Sequence, residues 1–276
     1  MDNFGVVGFV LFLVTFVFSY KGLKSLSALG KWEFSIERIV LYKEYQRLIT
    51  SGFVHANWTH LIFNLLALYC FAGIEAITGP LYFGLIYLCS LLGGNLLSLF
   101  LHRHDSGYAA VGASGAISGI IFFNIAVFPE SNIGLFFLPL SIPGWIFGVL
   151  YIIYCIYGIR GRIGNIGHDA HLGGGMVGIM AAAILYPAAI ANNIWVIMLM
   201  TVPFLVFMYL LLTKPAFMFV DKPFREAQGV LTVEDKYNST KVDRERELNR
   251  LLDKISRNGY HSLSKKERKN LDDLST

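Results

Sequence analysis

Seven apolar stretches, each close to the length a helix needs to cross a bilayer, dominate this sequence and bound what it can fold into. They run near residues 4–19, 58–78, 81–101, 112–129, 143–160, 169–189 and 193–213. A hydrocarbon core takes roughly 20 mostly apolar residues in helical form, because only a helix or a closed barrel satisfies its backbone there. The breaks between the stretches are turn-forming or polar: Gly79-Pro80, His102 to Gly107, Pro129 to Asn132, Arg160 to Gly167 and Asn192-Asn193. The first stretch is short and the seventh carries Pro203 at its centre, a kink that a helical bundle tolerates. The expected fold class is therefore all-α: a polytopic transmembrane bundle with a six-helix core, a seventh span and a small soluble tail.

Composition agrees with that class. With 55% hydrophobic and 15% charged residues the chain is far from an average soluble domain, which carries about 25% charge. The charge is also segregated: residues 1–213 hold 9 Lys/Arg and 8 Asp/Glu, residues 214–276 hold 14 and 11. Two domains follow, a membrane domain over 1–213 and a charged, soluble helical tail over 214–276. The net charge of +4 gathers in no basic groove interleaved with aromatics, so nucleic acid is not an expected partner. Cys70, Cys89 and Cys155 each lie inside an apolar run, where a thiol acts as a small hydrophobe; neither a disulfide framework nor a metal site is expected. Because Asp2 and Asn3 replace the basic start of a signal peptide, the first stretch reads as a retained span.

Residues 21–57 form one long connection that mixes Lys21, Lys24, Lys31, Arg38, Lys43 and Arg47 with Trp32, Phe34 and Tyr42, as suits a segment lying partly in the membrane interface. In the tail, Leu248, Leu251, Leu252 and Ile255 repeat at helical spacing. Ser264 with Glu267 predicts a capping box that starts a second short helix through Leu271 and Leu274. Phe136-Phe137 reads as lipid-facing or core, and His102 with His104 beside Arg103 as a solvated loop.

Polar side chains inside spans are expensive, so their positions are informative. His60 and Asn64 fall in the first two turns of the second span, Ser114 in the first turn of the fourth and His171 in the first turn of the sixth. Even-numbered spans cross in one direction, so these four residues share one layer near one membrane surface. Gly115 and Gly119 on the fourth span, and Gly174 and Gly178 on the sixth, form GxxxG stripes that permit close helix approach. If the stripes face one another, an imidazole reaches the Ser114 hydroxyl and can activate it as a nucleophile. His60 and Asn64, four residues apart on one helix face, can donate to an oxyanion, as can the unpaired N–H groups opening the fourth helix, that of Ser114 among them. Asp169 points to another face than His171, so the arrangement reads as a dyad. His168 with His171 has a ligand-like HxxH spacing, but no third Cys, Asp or Glu joins it, and no metal is expected.

The motifs carrying these residues resemble those of the rhomboid intramembrane proteases. Gly112-Ala113-Ser114-Gly115 is similar to that family's GxSG nucleophile motif, and Ala170-His171-Leu172-Gly173-Gly174 with Gly178 to its AHxxGxxxG motif. His55, His60 and Asn64 resemble its second-span HxxxN segment and the loop leading into it, and Phe71 to Glu75 with Gly79 a structural Glu/Gly element. The likeness covers roughly residues 40–185, and Val242 to Leu274 resembles a module appended to some bacterial members. It implies peptide-bond hydrolysis in or near transmembrane helices of membrane-protein substrates, with Ser114 as nucleophile, His171 as general base and acid, His60, Asn64 and the Ser114 N–H at the oxyanion, and no cofactor. Gly112, Gly115, Gly174, Gly178, His55 and His168 support the motifs, and Glu75 is structural. Some members carry an aromatic residue four positions after the nucleophile, under the imidazole; this chain has Ser118, which leaves the support of the His171 ring open.

A catalytically inactive rhomboid-like binding or chaperone protein is the alternative, although such a protein would lack the serine or the histidine. A small transporter would show paired repeats or helices broken at mid-membrane. The expected location is a multi-pass place in a lipid bilayer, that of the bacterial inner membrane. The resemblance puts the starts of spans two, four and six outside the cytoplasm, whereas Arg103, Arg160, Arg162 and the basic residues of 21–57 lie on that same side, against the positive-inside rule.

Overall fold

The computed structural model describes residues 5–134, 141–161, 167–213 and, in the C-terminal region, 247, 250–255, 260–264, 267–268 and 271. It divides into two units, residues 1–225 and 226–276. The first is a bundle of helices. Its elements in chain order are α1 (Val6–Lys24), α2 (Leu26–Trp32), β1 (Phe34–Ser35), α3 (Ile36–Val40), α4 (Arg47–Thr50), α5 (Trp58–Phe71), α6 (Ile74–Thr78), α7 (Pro80–His102), β2 (Ala109–Ala110), α8 (Ser114–Val127), β3 (Asn132–Gly134), β4 (Ser141–Pro143), α9 (Gly144–Gly161), α10 (His168–Leu185), α11 (Pro187–Asn192) and α12 (Ile194–Thr213).

All seven expected stretches are helical, with local differences that have physical causes. The first helix runs on to Lys24, past the expected end at residue 19, because it closes with Lys21 and Lys24 in its last turn, where cations suit the dipole. The second span breaks at Ala72-Gly73 into α5 and α6, and Pro187 separates α11 from α10 in the same way. Pro203 stays inside α12 without ending it. The 21–57 connection is not a plain loop. Three short α-helices, a 3-10 turn over Ser51–Phe53 and a strand build it, and Arg47, nearly fully buried, ties it together by donating to the carbonyls of Gly30 and Glu33 at 2.7 and 2.8 Å.

Among the described residues four helices, α1, α7, α9 and α12, are long and apolar enough to cross a membrane, with α5 and α8 as shorter apolar helices. The exception in burial is α8. From Gly115 to Val127 all but Asn124 are buried, so the helix is apolar all round and runs through the centre of the bundle. The core around it includes Leu68, Phe83, Tyr87, Phe122, Phe123, Ile152 and Leu172. Glu75 has a structural task at a span end: its two side-chain oxygens accept the N–H groups of Val7 and Gly8 at 3.0 and 2.7 Å, capping α1 from a neighbouring helix.

In the second unit Ser264 and Glu267 form the reciprocal capping pair, with backbone N–H to side-chain distances of 2.8 and 3.2 Å. Lys254 donates to both Glu267 oxygens at 2.8 and 2.9 Å, and Leu251 and Leu263 are buried. Leu252 is exposed, while Leu248 and Leu274 lie outside the described residues, as do Phe136, Phe137 and Arg162.

Candidate active site

The two glycine stripes do face one another. A Cβ built on Gly174 would run into the Gly115 carbonyl, and one on Gly178 into the Gly119 carbonyl, so α8 and α10 touch backbone to backbone. Gly94 of α7 meets the Ala170 carbonyl equally closely, which holds α10 from its other side. Only glycine permits such approach without a shift in the helices. As a result Ser114, the first residue of α8, and His171, in the first turn of α10, lie side by side: Nε2 of His171 is 2.6 Å from Oγ of Ser114. Ser118, one turn on, donates its hydroxyl to the Ser114 carbonyl at 2.8 Å.

α8 is shorter than a full membrane span. Fourteen residues at about 1.5 Å each span roughly 21 Å, short of a hydrocarbon core about 30 Å thick. Non-helical backbone within a bilayer is tolerated where protein surrounds it or where it lines an aqueous cavity, and the segment before Ser114 is half-buried by protein. β1 pairs with β2 there, Phe34 opposite Ala110, so the 21–57 connection braces the strand that leads to Ser114. Gly112 has φ +129°, which L side chains rarely adopt, and a Cβ on it would lie 2.8 and 2.9 Å from Cε1 and Nε2 of His60. The glycine is required by both its backbone and its neighbour.

His60 thus stands against the turn that delivers Ser114, with its own N–H held by Asn57, the cap of α5, at 2.8 Å. Asn64, one turn below, donates one amide N–H back to the His60 carbonyl at 3.0 Å, which leaves its second N–H for another acceptor. The N–H groups of Ser114, Gly115 and Ala116 open α8 and have no carbonyl partner within the helix. These N–H groups stand at the positive end of the α8 dipole, next to the turn against which His60 packs.

His55 serves the same turn from behind. The Ala113 N–H donates to its Nε2 at 3.3 Å, so its proton is on Nδ1, which donates to Ser19 Oγ at 2.8 Å; Ser19 in turn donates to the Phe53 carbonyl at 3.0 Å. Full burial holds the His55 ring well below the ordinary histidine range, with the adjacent His60 ring adding to the effect, in keeping with this neutral tautomer. His168 lies edge-on to His171, with ring centroids 6.3 Å apart. It is buried edge-on to Tyr154, with ring centroids 4.8 Å apart, and a Cβ on Gly158 would strike its ring.

Two groups were not legible in advance. His102 ends α7 and is no ordinary loop histidine: it stacks on Tyr108 with centroids 3.7 Å apart and planes at 6°, and its Nε2 lies 3.2 Å from Asp169 Oδ2. Tyr108 reaches the same carboxylate, at 3.5 Å, so Asp169 faces α7 and the Ser114 loop and not His171. His104 is exposed, as a loop residue should be. The second group is Tyr151 of α9, whose ring stacks beside His171 with centroids 6.0 Å apart at 25°. An aromatic at position 118 was the only sequence signal for such a support, and Ser118 gave no pointer to α9.

The bundle of long apolar helices defines the class, a multi-pass helical membrane protein. The chain belongs to the rhomboid family, whose Rhomboid domain matches residues 42–188. Residues 231–276 match a family of unknown function (DUF6576). Over 157 residues it is 31% identical to Rhomboid protein 1, mitochondrial, of Saccharomyces cerevisiae, covering 54% of this chain and 45% of that protein. RHOMBOID-like protein 12, mitochondrial, of Arabidopsis thaliana is 33% identical over 153 residues, 49% of this chain and 45% of its own length. Putative rhomboid protease YdcA of Bacillus subtilis is 37% identical over 94 residues, 33% and 46% of the two chains. This chain therefore spans about half the length of the curated relatives it matches.

Proposed function

We propose that this protein is an intramembrane serine endopeptidase that hydrolyses peptide bonds in or near the transmembrane helices of membrane-protein substrates. The observation that carries the reading is the 2.6 Å contact between His171 Nε2 and Ser114 Oγ at the start of α8. His171 Nε2 takes the hydroxyl proton as Oγ attacks the scissile carbonyl carbon. The oxyanion is met by the Ser114 N–H, by His60 and by the second N–H of Asn64. His171 then protonates the departing amine, the peptide C–N bond breaks, and an acyl-enzyme on Ser114 remains. The same nitrogen then deprotonates a water that attacks the acyl carbon, the C–Oγ ester bond breaks to release the acid, and the imidazolium returns its proton to Oγ. These steps use the chain's own groups and water.

Covalent labelling by a fluorophosphonate probe tests the reading. Wild-type protein is expected to label and Ser114→Ala to be blank. A wild-type chain that is folded, inserted and unlabelled would favour the inactive, binding-protein alternative.

The proposed location is the bacterial inner membrane, with the starts of α5, α8 and α10 outside the cytoplasm. Cysteine substitutions at Ser106 and at Ser264, in a background lacking the native cysteines, test this with an impermeant thiol reagent on intact cells. Labelling at Ser106 is expected. Protection there, with normal insertion, would invert the topology.

A further inference from the structure

Tyr151 touches both His171 and Ser118, the residue bonded to the Ser114 carbonyl. Its ring stacks beside His171, and its hydroxyl lies 2.8 Å from Ser118 Oγ. The direction of that bond follows from the next one. Ser118 spends its only hydroxyl proton on the Ser114 carbonyl, which can only accept, so Tyr151 must donate to Ser118. A chain of two hydrogen bonds thus runs from Tyr151 through Ser118 to the backbone of the nucleophile itself. Such a side-chain bond to the i−4 carbonyl adds to the helix's own ladder and tilts the first turn, the turn that aims Ser114. Phe122 and Phe147 pack on the Tyr151 ring, each with a centroid 5.6 Å away, and fix it in place.

We infer that Tyr151 is a positioning residue of the dyad, holding the His171 imidazole by its face and the Ser114 turn through Ser118. The inference rests on the proposed protease reading. It accounts for Ser118: a small hydroxyl residue at that position leaves room for a ring from α9 and relays its hydrogen bond to Ser114. An aromatic residue at 118 would occupy that room and could not relay the bond.

The test uses the full chain in lipid and a transmembrane reporter substrate, with Ser114→Ala as the inactive reference. Tyr151→Leu removes ring and hydroxyl, and is expected to lower kcat on the order of 10- to 100-fold with KM little changed, as for a misaimed reacting pair. Tyr151→Phe keeps the ring and is expected to lose only about 2- to 10-fold, the scale of one neutral hydrogen bond. Ser118→Ala is expected to match Tyr151→Phe, and the double variant to be no worse than either, because both cut one chain. Tyr157→Leu, on the exposed face of the same helix α9, serves as the control and is expected to keep its kcat. Should Tyr151→Leu not fold, the Phe and Ala variants and their non-additivity carry the test. Wild-type cleavage abolished by Ser114→Ala upholds the protease reading by itself. With that in hand, a folded Tyr151→Leu at wild-type kcat, or additive losses in the double variant, would overturn the inference alone.

Discussion

Gly174 and Gly115 meet backbone to backbone, with no space between them for a single carbon atom. That contact sets the distance between α8 and α10, and with it the reach of His171 to Ser114. Gly174→Ala is expected to force the helices apart, lower thermal stability by about 1–3 kcal/mol, the range for overpacking, and remove most turnover. Detergent-solubilised melting curves with a reporter assay check both. An unchanged melting temperature and unchanged kcat would mean that the two helices do not pack this way.

His60 and Asn64 are expected to act on turnover and not on insertion. His60→Ala and Asn64→Ala should each reduce kcat by roughly 10- to 1000-fold, the scale of one lost oxyanion donor. His60→Ala is the more severe of the two if the ring also holds the Gly112 turn, against which it packs. Normal turnover in both single variants would remove them from the oxyanion site.

The tail should carry its own acid transition. The Lys254 ammonium, followed by the Ser264 backbone and hydroxyl, pulls the Glu267 carboxyl down to about 2. A carboxyl depressed on folding contributes stability that is present above its unfolded value near 4.5 and lost as pH falls through about 2. Helical circular dichroism of residues 226–276 is therefore expected to weaken as pH drops across that window. Glu267→Gln should be weaker at neutral pH and nearly flat across it. A Gln variant with wild-type pH dependence would remove Glu267 as the cause.

Much of the fold was legible because the bilayer imposes a length and an apolar composition, and these are written locally. The polar layer was legible for the same reason, since His60, Asn64, Ser114 and His171 stand out in apolar runs. The breaks inside spans were less so: Ala72-Gly73 ends α5 by a packing choice that hydropathy does not register. The groups that support the site came from elements distant in sequence. Tyr151 looks like any tyrosine of a lipid-facing run, and His102 like a loop residue, until α9 and α10 are packed. The two-residue pairing of β1 with β2 is too short for any periodic signal, yet it braces the strand into Ser114.

The most direct test is cleavage of a transmembrane reporter by purified protein reconstituted in lipid, comparing wild type with Ser114→Ala and His171→Ala. Because the pair acts as one unit, either substitution is expected to remove cleavage while melting temperature and insertion stay near wild type. Near wild-type cleavage by either variant would contradict the assignment of Ser114 and His171 as the catalytic pair.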